Sequence, residues 1–167
     1  EPNAYASLGG HIFINKGSLH GIHKQMGVIN SKGVVGQVVD VTPHYACVMS
    51  LLNKNFKMSA KLKHSKYFGQ LYWDGVNAAT ARLDEIPKHV KVKDGDTIIT
   101  SGYSALFPEN IMIGTVKKFN SQADKNFVEI EVKLSANMHT LDHVYVVENF
   151  FKKEYEKLDS LTQKLSK

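Results

Sequence analysis

Short apolar runs rich in Val, Ile and Thr, each closed by Gly, Asn, Ser or Pro, recur about every ten residues between Ile12 and Val147. Examples are Ile12-Phe13-Ile14-Asn15, Gly27-Val28-Ile29-Asn30 and Val34 to Val41, followed by Tyr45 to Leu52, Phe68 to Trp73, Ala81 to Ile86 and Thr97 to Thr100. Met58, Ala60 and Leu62 alternate with lysines at 57, 61 and 63. Val128, Ile130, Val132 and Leu134 alternate with Glu129, Glu131 and Lys133. With Ile111 to Phe119 and Val144 to Val147, this makes ten to twelve strands with period-2 burial, the pattern of sandwiches and barrels. Helical spacing is confined to Phe151, Tyr155, Leu158 and Leu165, which predict a short amphipathic tail over 150–167.

The chain is long enough, at 167 residues, for one large core or two small ones. A weak internal repeat favours two. Gly27 to Val38 reads as Gly, a β-branched strand, a Ser-Gly turn, then apolar-apolar-Gly-polar-Val. Gly95 to Gly102, continued by Ile111-Met112-Ile113-Gly114-Thr115-Val116, repeats that order. Each half holds about 75 residues, enough for one small barrel. The expected division is therefore 1–75 and 76–149, with strands shared between the lobes if closure demands it.

Several chemistries are disfavoured. One cysteine, Cys47, permits neither an internal disulfide nor a thiolate zinc cage. His139 and His143 have ligand spacing only on a helix and lack a third ligand in sequence, and His20 and His23 sit in a Gly-rich turn. Gly102-Tyr103-Ser104-Ala105 lacks the closing Gly of a nucleophile elbow, and Gly95-Asp96-Thr97-Ile98 has Thr where a protease nucleophile would stand. No phosphate loop is present. The expectation is a protein that is not an enzyme, with no catalytic residue, metal or cofactor. Lysines beside aromatics, as at Lys66-Tyr67-Phe68, leave nucleic-acid binding by a small barrel as the alternative, against which stand a net charge of only +5 and the interrupting Glu129 and Glu131.

The stretch from Thr100 to Glu109 is different. It is a loop carrying Tyr103, Leu106 and Phe107 between two strands. Two roles are open to it: closing the end of a barrel, or meeting a partner. Phe107, fixed before Pro108, is expected to pack inward and Tyr103 to face out.

The same residues carry a family resemblance. Gly95-Asp96, Ile98-Ile99, Thr100-Ser101-Gly102, Phe107-Pro108 and Ile113-Gly114-Thr115-Val116 resemble the signature of the MreC family, as do Gly33-Val34-Val35-Gly36-Gln37-Val38 upstream and Leu141 with Val144 to Val147 at the close. The likeness runs from about residue 12 to 148, departing at Asn110, where that family more often has Gly. It implies two six-stranded barrels, a membrane anchor upstream of Glu1, and a place on the periplasmic side of the inner membrane. It further implies a non-catalytic scaffold of the cell-elongation complex, organising peptidoglycan synthesis and cell shape. The implied partners are a class B penicillin-binding protein, MreD and the MreB complex, together with self-association and without nucleic acid. Gly36, Gly95, Thr100, Ser101, Gly102, Pro108 and Gly114 are the motif residues, and Tyr103, Leu106 and Phe107 the candidate partner contacts.

Overall fold

Alternation places Met58, Ala60 and Leu62 inward on one strand, and the computed structural model buries all three. It describes residues 9–103, 106–121 and 125–149, the backbone of 4–6, and 154, 157, 158 and 160. The tail expected over 150–167 therefore falls almost wholly outside the described residues. Twelve strands appear among them: β1 (Ala4–Ala6), β2 (His11–Ile14), β3 (Gly27–Ile29), β4 (Val34–Val41), β5 (Ala46–Ser50), β6 (Lys57–Leu62), β7 (Phe68–Tyr72), β8 (Thr80–Pro87), β9 (Thr97–Thr100), β10 (Met112–Asn120), β11 (Phe127–Leu134) and β12 (Tyr145–Val147). The fold is all-β, as the spacing predicts.

β6 to β11 close into a barrel in the order β10-β11-β8-β7-β6-β9, every neighbouring pair antiparallel. The other lobe is a six-stranded sheet, β1-β2-β5-β4-β3-β12. It follows the barrel's cyclic order, but among the described residues no pairing joins β1 to β12. Where two barrels are expected, one is closed among the described residues. The physical basis is length: β1 and β12 have three residues each, whereas the corresponding pair in the barrel, β7 and β6, meets over five residue pairs. The strands also do not part at residue 75. β6 and β7 hydrogen-bond into the barrel, and β12 returns to the first sheet beside β3.

The internal repeat is visible as shared irregularity. Gly36 pairs with Val28 and Ser50, and Gly114 pairs with Ile98 and Leu134. Each glycine has one unpaired residue just before it, and another three positions after it, Val39 and Lys117. A Cβ built on either glycine would lie 2.1 Å from a neighbouring strand's carbonyl oxygen, of Met49 or of Lys133. No side chain fits such an approach, so glycine is required at both sites. Val38 and Val116 accept and donate equivalent backbone bonds, to Gln25 and Met26 in one lobe and to Gly95 and Asp96 in the other.

One apolar core joins the lobes, with Ile14, Val28 and Val48 of the sheet and Leu83, Ile98 and Ile130 of the barrel in the same contiguous cluster. Around the barrel wall, Glu131 departs from the alternation that predicts an exposed side chain. It is only 8% exposed. The cause is the bulge at Lys117: a regular strand would send Lys117 and Lys118 to opposite faces, but here both ammonium groups reach Glu131, at 2.9 and 3.1 Å. Their hydrogen bonds hold its carboxyl below the usual carboxylate range, against the opposing effect of burial.

Candidate protein-contact site

Residues 101–103 and 106–111 lie between β9 and β10, and Thr100 clamps the base of this loop. Its buried Oγ1 donates to the carbonyl oxygen of Pro108 at 2.6 Å and accepts the N–H of Ile111 at 2.9 Å. Gly102 has φ +75°, and Asn110 has φ +73°, a left-handed backbone that Asn tolerates and Gly adopts freely. The departure at Asn110 thus keeps the bend. Gly95, at φ +83° with nothing within 4 Å of where a Cβ would stand, serves the turn into β9 through conformation and not through close approach.

The loop folds back over the outer face of β6. Ser101 Oγ donates to Ser59 Oγ at 2.7 Å, and Lys61 is ion-paired with Glu109. These contacts divide the three apolar side chains. Phe107 is 0% exposed and packs on Gly27 of the first sheet, while Leu106 is half-buried beside it. Phe107 has no surface to offer a partner; it fastens one lobe to the other.

Tyr103 is 69% exposed. Its ring stacks on Phe68 of β7, with centroids 4.3 Å apart and planes 24° from parallel, and Phe68 is itself 41% exposed. Phe68 also borders a shallow cleft of about 300 Å³ lined by Lys57, Met58, Ser59, Gly69, Gln70 and Glu85. In the sequence Phe68 stands out only beside Lys66 and Tyr67 in the nucleic-acid alternative, not as a partner of Tyr103. The signal was its phase: it stands in step with Gln70 and out of step with Leu71, which places the ring outside the barrel. Two open aromatic faces, held in one orientation and ringed by Lys, Ser, Gln and Glu, make the composition of an interface anchor. Among the described residues, no group of three or more His, Cys, Asp or Glu converges as a metal site would require.

A model of the family described as Rod shape-determining protein MreC, barrel core, matches residues 3–148. The chain belongs to the MreC family. It is 30% identical over 137 residues to the cell shape-determining protein MreC of Listeria monocytogenes, an alignment covering 80% of this chain and 46% of that protein. With the Bacillus subtilis MreC the identity is 30% over 148 residues, covering 81% and 50%. The chain spans about half the length of the curated MreC relatives it matches. Among solved structures, MreC of Pseudomonas aeruginosa superposes with a TM-score of 0.80 at 23% identity, covering 87% of this chain and 96% of that one. The Listeria MreC gives 0.79 at 27% identity, covering 89% and 74%. A Helicobacter pylori complex between penicillin-binding protein 2 and MreC gives 0.70 at 15%, covering 88% and 95%. The family expected from the Thr-Ser-Gly, Phe-Pro and Gly-x-Val residues is therefore the MreC family found.

Proposed function

We propose that this chain is the protein-binding module of a cell-shape determinant. In this reading it is a non-catalytic scaffold on the periplasmic side of the inner membrane, anchored by an upstream helix, that organises peptidoglycan synthesis. A class B penicillin-binding protein is its direct partner, with MreD, the MreB complex and further copies of itself in the same assembly. Family membership supports the reading, and so does the existence of a solved complex between a related MreC and penicillin-binding protein 2.

The observation that carries it is the stacked pair of Tyr103 and Phe68, exposed beside a cleft and fixed by the Thr100 clamp. Scaffolds act through surface, and a few aromatic anchors dominate such contacts. Affinity for the periplasmic part of a class B penicillin-binding protein, measured by titration calorimetry, tests it. Tyr103→Ala and Phe68→Ala should each weaken binding by about tenfold or more, near 1.4 kcal/mol. Unchanged affinity in both variants, with the fold retained, would assign the loop to barrel closure alone.

A further inference from the structure

Glu85 has a backbone that glutamate rarely adopts. It lies within β8 at φ +69°, in the left-handed region that favours Gly and, after it, Asn and Asp. The cause is a bulge. Asp84 and Glu85 together face Glu129 of β11, between the pairs Val128–Ile86 and Ile130–Leu83. A regular strand would turn Glu85 into the barrel and Ile86 out, but here Glu85 is exposed and Ile86 is buried. The bulge is seated against β7, where a Cβ on Gly69 would stand 1.9 Å from the carbonyl oxygen of Asp84. Gly would take the bulge position without strain, so a glutamate there has to be explained by its side chain.

That side chain borders the site already described. It lines the cleft of about 300 Å³ together with Phe68, the ring stacked on Tyr103. On its other side a second cleft, of about 280 Å³, separates it from the exposed ring of Phe127. The neighbouring carboxylates are engaged: Asp84 accepts the Tyr72 hydroxyl at 2.7 Å, and Glu129 is ion-paired with Lys125. Glu85 forms no ion pair with a described residue, and Lys57, which lines the same cleft, is not paired with it.

The chemistry of this rim selects its occupant. A carboxylate without a counter-ion and the π-face of an aromatic ring both attract a cation. Of the side chains that carry a lasting positive charge, Arg lays a flat guanidinium on a ring while its fork meets a carboxylate, and Lys does not.

We propose that Glu85 is a specificity-determining residue of this face, receiving an arginine of the partner protein in the cleft beside Phe68. The contact rests on the reading that the Tyr103–Phe68 face meets a class B penicillin-binding protein, whose periplasmic part is the first probe. Glu85→Gln should weaken its binding by about tenfold at low salt and by less at high salt, where the charge is screened. Asp94→Asn, which changes the net charge equally on another loop, should leave affinity within about twofold. Lys57→Gln should not weaken it. Glu85→Gly should lose affinity as Glu85→Gln does, yet hold or raise the melting temperature, a pairing that a structural role does not give. The second probe, acetyl-arginine amide, is independent of that partner. It should shift the backbone amide resonances of residues 68–70 and 84–86 in the parent chain but not in Glu85→Gln, and acetyl-norleucine amide should shift neither. Lost affinity in Tyr103→Ala with none lost in Glu85→Gln overturns the Glu85 contact and spares the binding face. Unchanged affinity in all the variants overturns the binding face, and the arginine probe then decides the Glu85 contact alone. An equal loss in Asp94→Asn, a greater loss in Lys57→Gln than in Glu85→Gln, or a lower melting temperature in Glu85→Gly also overturns it.

Discussion

The Phe107 ring lies against the bare backbone of Gly27, so closely that a Cβ on that glycine would stand 2.5 Å from Cε1 of the ring and 2.8 Å from the carbonyl oxygen of Leu106. The barrel's loop is thereby seated on the first sheet. Truncating Phe107 to Ala removes a fully buried ring, and a loss of about 3–5 kcal/mol in urea unfolding is expected. Gly27→Ala should destabilise through the same contact from the other side, and the double variant should lose less than the sum of the two.

Gly114→Val and Gly102→Val are each expected to cost about 1–3 kcal/mol, read as a lower melting temperature. The reasons differ. At Gly114 the obstacle is the Lys133 carbonyl 2.1 Å from a Cβ; at Gly102 it is φ +75°, which a β-branched residue adopts poorly. Gly102→Asn should therefore restore much of the loss at 102, whereas no side chain rescues 114.

Thr100→Val keeps the shape of the clamp and deletes both of its bonds, leaving the Pro108 carbonyl and the Ile111 N–H without a partner. A destabilisation of about 1–3 kcal/mol should accompany weaker partner binding, although residue 100 is buried and touches no partner. Loss of stability without loss of affinity would separate the clamp from the presentation of Tyr103.

Glu131→Gln removes the charge that holds Lys117 and Lys118 together, with an expected loss of about 1–2 kcal/mol at neutral pH. The sign of the pH dependence is set by the lowered folded-state pKa. Stabilisation from this carboxylate is complete above the unfolded value near 4.5 and is lost as pH falls through the lower folded value. Urea midpoints should thus drop on acidification below that point in the parent chain, and drop less in the variant.

At the alkaline end, burial first and then the hydrogen bond to Asp84 push the Tyr72 phenol up to about 12. A raised phenol pKa favours the protonated folded form, so its contribution is present below pH 10 and is lost as pH rises toward 12. In a spectrophotometric titration, Tyr72→Phe should delete the ionisation that Tyr72 contributes near pH 12.

Strand phase was legible because period 2 is a local property: Met58, Ala60 and Leu62 announce their face without knowing their neighbours. The Gly36 and Gly114 repeat was legible for a related reason, since a close backbone approach permits only one residue type. What pairs with what was not local. Nothing in Lys57 to Leu62 says that β6 meets β9, some forty residues on, and nothing in Tyr145 to Val147 says that it returns to β3. The bulge at Lys117 was equally hidden, so Glu131 read as a solvated residue when it is the centre of a charge cluster. At the candidate site, Tyr103 and Phe107 were separable by the proline that follows Phe107. Phe68 was not joined to them, because a stack across a loop and a strand leaves no spacing in the sequence.

The return of β12 to β3 also sets an order of events in synthesis. The first sheet holds the earliest of the described strands, yet its sixth strand is supplied only after all six strands of the barrel have emerged. The barrel's pairings lie wholly between residues 57 and 134, so it can be completed first, while β3 waits with an unsatisfied edge. The nascent chain therefore carries an open strand edge while residues 30–144 are being made, and that interval exposes it to mispairing.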